Sequence, residues 1–137
     1  MALHEALIRE ENDGTISFGD YTLDVKSKMS DFEHNGDLYK VKTYYEITKL
    51  EKNGLFVYES VPGTAVHHFN LTDREVSFYV SGSEDAQITL ELEAEKEYKI
   101  LIDDTNVGKM KTNLGGKLVL SVELTTERDV LVKVVKC

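Results

Sequence analysis

Side chains that could bind a small molecule are concentrated between Leu55 and Phe69. Aromatic rings, imidazoles and one carboxylate surround the rigid dipeptide Pro62-Gly63, and Tyr44 lies on the preceding predicted strand. Aromatic rings stack on sugars, while imidazole and carboxylate groups hydrogen-bond polar ligands. The candidate ligand-binding residues are therefore Tyr44, Tyr58, Glu59, His67, His68 and Phe69.

The same residues permit other interpretations. Tyrosines on an exposed sheet face are common at oligomer interfaces, so this segment could be a self-association surface. It also fits an ordinary strand, turn and strand without a ligand. A glycan-processing enzyme is a further alternative, in which Glu59 and an aspartate such as Asp103 supply the two carboxyl groups that glycoside cleavage needs.

The familiar signatures of catalysis are missing from the sequence. It has no glycine-rich phosphate loop, no Cys-x-x-Cys, no His-Glu-x-x-His and no Gly-x-Ser-x-Gly. Adjacent strand residues point to opposite faces, so His67 and His68 are not expected to share a metal. The run from Asp103 to Gly108 alternates oxygen ligands, but no glutamate follows at calcium-loop spacing, which favours a turn. We predict no catalytic residue, metal or cofactor.

Charge excludes two classes of partner. The 137 residues include 16 Lys and Arg against 25 Asp and Glu, for a net charge of −9. Nucleic-acid binders and proteins that bind anionic membranes normally present a basic surface, so we expect neither partner. The amino terminus lacks the pattern of a secretory signal and the single cysteine is Cys137, which together indicate a cytoplasmic protein.

The elements that must position these side chains are predicted to be strands. Asp13-Gly14, Asn35-Gly36, Asn53-Gly54 and Gly115-Gly116 tolerate the positive φ angles of tight turns, so each is expected to join a hairpin. Alternation predicts one long strand from Asp37 to Lys49.

Other segments are also bounded by turn residues. Leu55 to Tyr58 is the expected hairpin partner of that long strand. The turn Val61-Pro62-Gly63 is expected to end the strand that begins at Leu55. The segment from Ala2 to Glu11 fits either a helix or the first strand. We count about ten strands in all.

This pattern predicts an all-β protein with an antiparallel β-sandwich or barrel-like fold, in a single domain spanning residues 1–137. Tyr39-Lys40-Val41 is similar to Tyr98-Lys99-Ile100, so the halves 1–70 and 71–137 could be related by duplication. Open sheet edges need cover, and Pro62 is the only proline, which favours a homo-oligomer.

Three runs carry a resemblance to a known group of proteins: Ser17–Tyr21, Asp37–Thr43 and Phe56–Thr64. Together they resemble small proteins of anaerobic Gram-positive bacteria that carry the label endosialidase, over nearly the whole chain. The resemblance implies a bacterial protein concerned with glycans. The closing strands, from Tyr98 and from Gly116, are similar to those of β-sandwich accessory domains in polysaccharide-degrading enzymes.

The residues themselves argue against a sialidase mechanism. The chain is too short for a β-propeller, has no tryptophan, and has only three arginines, each beside acidic residues: Arg9, Arg74 and Arg128. We therefore expect a non-enzymatic β domain that binds a carbohydrate, a partner protein or itself. The alternative is a small glycan-processing hydrolase.

Overall fold

Alternating apolar and polar side chains produce strands along nearly the whole described chain. The computed structural model describes residues 7–137. Within that range the chain forms thirteen strands: β1 (Ile8–Glu10), β2 (Ile16–Phe18), β3 (Ser27–His34), β4 (Asp37–Tyr44), β5 (Ile47–Lys52), β6 (Leu55–Val61), β7 (Thr64–Leu71), β8 (Glu75–Gly82), β9 (Ala86–Glu91), β10 (Glu97–Ile102), β11 (Thr105–Lys111), β12 (Lys117–Val122) and β13 (Val130–Lys136).

The strands build two antiparallel sheets. The seven-stranded sheet has the order β1-β2-β7-β8-β13-β10-β11, and the six-stranded sheet has the order β12-β9-β6-β5-β4-β3. The sheets pack as a sandwich and not as a closed barrel, which confirms the predicted all-β class. Both sheets combine strands from residues 7–70 and 71–137. Residues 7–137 contain no helix long and apolar enough to cross a membrane.

Three of the four predicted glycine hairpins are confirmed. Asp13-Gly14 joins β1 to β2, Asn35-Gly36 joins β3 to β4, and Asn53-Gly54 joins β5 to β6. The prediction for Gly115-Gly116 is wrong, because β11 and β12 belong to different sheets. This turn carries the chain from one sheet to the other, and a Cβ on Gly116 would lie 2.2 Å from the Leu92 carbonyl oxygen.

The single strand predicted from Asp37 to Lys49 is also wrong. The chain reverses at Tyr45-Glu46, so that Tyr44 of β4 pairs with Ile47 of β5. Tyr45 and Glu46 have no positive φ, and no glycine or asparagine marks this turn in the sequence. This unpredicted hairpin is one reason why the structure exceeds the expected count of about ten strands.

Two other segments also differ from their predictions. Asp103 and Asp104 form the predicted turn, both with positive φ, but Thr105 already begins β11. Of the segment from Ala2 to Glu11, Ile8–Glu10 is a strand and residues 2–6 lie outside the described residues.

Inward-facing side chains from both sheets form the core. Four aromatic rings lie at its centre: Phe18, Tyr58, Phe69 and Phe78. Phe18 meets Tyr58 edge-to-face at 5.2 Å between ring centroids, and Tyr58 meets Phe78 in the same way at 5.6 Å. Such edge-to-face pairs add stability beyond the area they bury.

A buried chain of hydroxyl groups crosses between the sheets beside this aromatic cluster. Thr64 Oγ1 of β7 lies 2.8 Å from the Tyr58 hydroxyl and 2.7 Å from Ser60 Oγ, both on β6. Thr48 Oγ1 of β5 donates to the Thr64 carbonyl at 2.9 Å and accepts from the Thr64 amide at 3.0 Å. Thr43 Oγ1 of β4 continues the chain, 2.8 Å from Thr48 Oγ1. We call these five residues the hydroxyl chain.

Gly63 allows the turn between β6 and β7 to approach the β4–β5 turn closely. A Cβ at this position would lie 2.0 Å from the Tyr44 carbonyl oxygen, and the Gly63 amide donates to the Tyr45 carbonyl at 3.0 Å. Because the clashing atom belongs to the backbone, a side-chain rotation cannot relieve the contact.

Replacing Gly63 by alanine is expected to lower the free energy of unfolding by about 3 kcal/mol or more, because the new methyl group must displace backbone. Urea unfolding measures the change. Gly115→Ala is the matched control, since its Cβ would meet only Asn113 Oδ1 at an ordinary 3.5 Å. That control should change stability by no more than about 0.5 kcal/mol. Equal effects of the two substitutions would contradict the importance of the close approach.

Candidate functional site

The structure separates the six predicted ligand-binding residues. Tyr58 and Phe69 lie in the core, with exposed fractions of 0% and 4%, so the expectation that they form part of a surface is wrong. Both side chains occupy inward positions of their strands and belong to the aromatic cluster. Burial raises the pKa of the Tyr58 hydroxyl, which therefore serves as a protonated member of the hydroxyl chain.

Tyr44 and Glu59 lie on the outer face of the six-stranded sheet. The Tyr44 hydroxyl donates to Glu46 at 2.6 Å, and Lys26 Nζ lies 5.7 Å from the centre of its ring. Glu59 stands between Lys49 of β5 and Thr89 of β9 in the strand register.

His67 and His68 lie on the seven-stranded sheet, at an irregularity of β7. Val66 and Phe69 both face the core although they are three residues apart, which requires one extra residue in the strand. His68 is this extra residue, and its φ is 56°. Its Nδ1 lies 3.0 Å from Asp13 Oδ2, whereas His67 pairs with Tyr79 on the outer face.

A cavity of about 270 Å³ lies beside His67. It is formed where β1, the loop after β2, β7 and β8 meet, and the side chains that carry chemistry are Arg9, Asp20, Tyr21, Thr22, His67 and Ser81. We call it the Arg9–His67 cavity. Of the predicted residues, only His67 lines it.

Several polar groups of this cavity have no hydrogen-bond partner within residues 7–137. Ser81 is only 8% exposed, yet its hydroxyl makes no side-chain hydrogen bond. Every fully enclosed side-chain nitrogen or oxygen in the described part has a partner, so this hydroxyl opens onto the cavity. The His67 ring nitrogens and the Tyr21 hydroxyl are also without hydrogen bonds to described residues. These groups remain available to a ligand.

Arg9 supplies the positive charge of the cavity. Its Nε lies 3.2 Å from Glu11 Oε2, which orients the guanidinium and leaves its terminal nitrogens without an ion-pair partner among residues 7–137. Ser17 also donates to Glu11. That hydrogen bond, with the nearby Arg9 charge, lowers the pKa of the Glu11 carboxyl below its usual 4.5 against the opposing effect of burial.

The loop after β2 supplies the hydroxyl and carboxylate groups. Asp20 Oδ1 accepts from the amide of Thr22 at 2.9 Å and from its hydroxyl at 2.5 Å. The Asp20 amide donates to Thr43 Oγ1 at 2.9 Å, which anchors the loop to the hydroxyl chain. Gly19 packs so closely there that a Cβ would lie 2.5 Å from the Thr64 carbonyl oxygen. The cavity wall is therefore attached to the centre of the fold.

The side chains of this cavity can hydrogen-bond both hydroxyl and acid groups. A guanidinium binds a carboxylate or phosphate through parallel hydrogen bonds. Hydroxyl, imidazole and carboxylate side chains can exchange hydrogen bonds with the hydroxyls of the same ligand. At about 270 Å³ the space lies just below the usual range for drug-sized ligands, so it suits one small molecule or one unit of a polymer.

The carboxyl pair considered for glycoside cleavage is not assembled. Glu59 lies in β6 of the six-stranded sheet, whereas Asp103 follows β10 of the seven-stranded sheet. Asp103 accepts from Arg128 at 2.6 Å and from the Leu131 amide at 3.0 Å. These bonds lower the pKa of its carboxyl, the opposite of what a general acid requires.

Thr15, His68 and Asp13 superficially resemble a catalytic triad. Thr15 Oγ1 and Asp13 Oδ2 both approach the same imidazole nitrogen, Nδ1 of His68, at 3.2 and 3.0 Å. In a working triad the nucleophile and the carboxylate contact opposite nitrogens of the ring. The cluster therefore lacks the geometry for nucleophile activation. Nor do residues 7–137 contain a group of three His, Cys, Asp or Glu side chains placed to hold a metal.

The fold and the cavity define a small two-sheet antiparallel β-sandwich with a polar recess on the outer side of one sheet. Comparison of the chain with protein-family models, curated proteins and solved structures finds no match in any of the three.

Ser17→Ala should reduce stability by about 1.5 kcal/mol at pH 7, because it removes a hydrogen bond to a charged carboxylate. Folding lowers the pKa of the Glu11 carboxyl, so this group stabilises the protein at pH values above its ordinary pKa of 4.5. The stabilisation is lost as the pH falls through the lower pKa of the folded state. The difference in free energy of unfolding between Ser17→Ala and the original protein should therefore shrink between pH 6 and pH 3. Urea unfolding across this range measures it.

Ser77→Ala on the outer face of β8 is the control for this substitution, and its effect should not depend on pH. A Ser17→Ala deficit that stays constant from pH 6 to pH 3 would contradict the assigned role of Glu11.

Proposed function

We propose that the protein is a non-enzymatic binding module that holds an acidic sugar, or one acidic residue of a glycan, in the Arg9–His67 cavity. The observation that carries the proposal is the convergence of unpartnered polar groups on one recess, including the nearly buried hydroxyl of Ser81. Buried polar groups normally find partners within the protein. Groups left open around a cavity are therefore suited to a ligand.

Each component of the cavity corresponds to a part of such a ligand. Arg9 pairs with the acid group, and its hold on Glu11 keeps the guanidinium oriented before binding. Asp20, Tyr21 and Ser81 supply acceptors and donors for sugar hydroxyls.

The separation of the considered carboxyl pair, Glu59 and Asp103, into different sheets favours binding over hydrolysis. The shifted carboxyl groups have lowered pKa values, which keeps them ionised: Glu11, Asp13, Asp37, Glu93 and Asp103. Glycoside hydrolysis needs one carboxyl that stays protonated to donate to the leaving group.

Titration calorimetry with galacturonate and galactose tests the proposal, because the two sugars differ in one carboxylate. Galacturonate is expected to bind at least tenfold more tightly, and Arg9→Gln should abolish the difference, since a charge-assisted pair is worth more than about 1.4 kcal/mol. Arg74→Gln, in the turn before β8, is the matched control and should bind like the original protein.

Ser81→Ala gives a second test that removes no structural hydrogen bond. It should weaken the binding of galacturonate about threefold to tenfold without changing the unfolding midpoint. Binding that is indifferent to both the Arg9 and Ser81 substitutions, or equal affinity for the two sugars, would overturn the proposal.

A further inference from the structure

Positive charge is concentrated on the outer face of the six-stranded sheet, away from the cavity. Five lysines lie on or beside β3, β4 and β5: Lys26, Lys28, Lys40, Lys42 and Lys49. We call this surface the lysine face. These five are almost a third of the 16 basic residues of a chain that has 25 acidic ones. The lysine face is therefore a basic surface on an acidic protein.

Three of these lysines form a row across adjacent strands. Lys28 of β3 is directly opposite Lys42 of β4, and Lys42 is directly opposite Lys49 of β5. Neighbouring strands are about 4.8 Å apart, so the row spans about 10 Å. Like charges directly opposite each other destabilise a sheet, and this arrangement places two such pairs side by side.

The protein compensates little of this charge. Lys49 Nζ lies 3.7 Å from Glu51, and Lys26 lies over the Tyr44 ring, whereas Lys28, Lys40 and Lys42 have no ion-pair partner among residues 7–137. Burial lowers the pKa of Lys42, and the surrounding four lysines lower it further by repulsion. A bound anion would relieve that repulsion.

An acidic residue bounds the lysine face on one side, because Glu59 of β6 is opposite Lys49. Within the face, Glu51 of β5 is opposite Lys40. On the other side the face ends at β3, the edge strand of the sheet. The positive zone is therefore three strands wide and open at the sheet edge, which suits a chain that crosses the strands.

We propose that the lysine face binds a linear acidic polysaccharide lying across β3, β4 and β5, with its carboxylates above the row Lys28, Lys42 and Lys49. Tyr44, two residues after Lys42 on the same face of β4, places an aromatic ring beside the row, where a sugar ring can stack. This second site rests on the strand register and does not depend on the cavity.

The charge spacing favours a polysaccharide over a nucleic acid. Double-stranded DNA carries one charge per roughly 1.7 Å, a much denser array than the lysine row. The acidic remainder of the chain would repel such a dense polyanion. A polysaccharide with one carboxylate per sugar carries its charges farther apart.

Binding of polygalacturonate is measured in the Arg9→Gln background, so that the cavity does not contribute and the failure of either site can be distinguished. The double variant Lys42→Gln and Lys49→Gln is expected to weaken binding at least tenfold and to reduce its dependence on salt. Neutral dextran should not bind. Because the substitutions relieve repulsion, the unfolding midpoint should stay equal or rise.

Lys99→Gln with Lys109→Gln is the matched control, since these lysines form a single opposed pair on the other sheet. It should leave the affinity unchanged. Equal losses in both double variants would overturn the proposal, as would equal affinity for a single-stranded oligothymidylate. A third outcome would also contradict the proposal. If the Arg9→Gln protein does not bind polygalacturonate, and adding the Lys42→Gln and Lys49→Gln substitutions lowers its mass in sedimentation, the lysine face is a self-association surface.

Discussion

The hydrogen bonds of Thr64 join the two sheets, and the positions of the other elements depend on them. Its hydroxyl is shared with Tyr58 and Ser60 on the facing sheet, and its backbone exchanges two hydrogen bonds with the Thr48 hydroxyl. Within a dry interior, an unmade hydrogen bond costs far more than a made one contributes. This asymmetry sets the relative position of the sheets, because sliding one over the other would leave several buried hydroxyl groups unpaired.

The cavity depends on the same interaction. Gly19 packs against the Thr64 carbonyl, and the next residue, Asp20, donates its amide to Thr43 at the end of the hydroxyl chain. The loop that contributes Asp20 and Tyr21 is thus attached to buried, fully paired groups. Rigid attachment of this kind lets a loop present binding groups in a fixed arrangement before the ligand arrives. The lysine face, in contrast, is positioned by strand register alone.

Local sequence was sufficient to predict the all-β class and three of the glycine hairpins, because apolar and polar residues alternate and turns with positive φ need particular residues. It was insufficient where tertiary packing decided. Nothing at Tyr45-Glu46 marks a reversal, and apolar and polar residues continue to alternate through it, so the sequence predicts one strand where the structure has two. The inward position of Phe69 depends on the extra residue at His68, which no pattern in the sequence showed.

The residues that line the cavity were hard to predict for a related reason. His67 was a candidate because it stands beside other chemically active side chains in the sequence, whereas Arg9 belonged to a segment that fitted two kinds of element. Ser81 becomes notable only when its lack of a partner is seen. The lysine row likewise appears only once β3, β4 and β5 are paired, since its members are separated by up to 21 positions in sequence.

The place of β13 has a consequence for the order in which the chain can fold. This strand lies between β8 and β10 inside the seven-stranded sheet, although it is the last strand described. Until residues 130–136 have left the ribosome, β8 and β10 have no strand to connect them. The nascent sheet must then wait in two parts with buried faces exposed. Pairings this distant in sequence also slow folding. The strand order therefore implies that the seven-stranded sheet is completed only after β13 has been synthesised, and that those faces need protection until then.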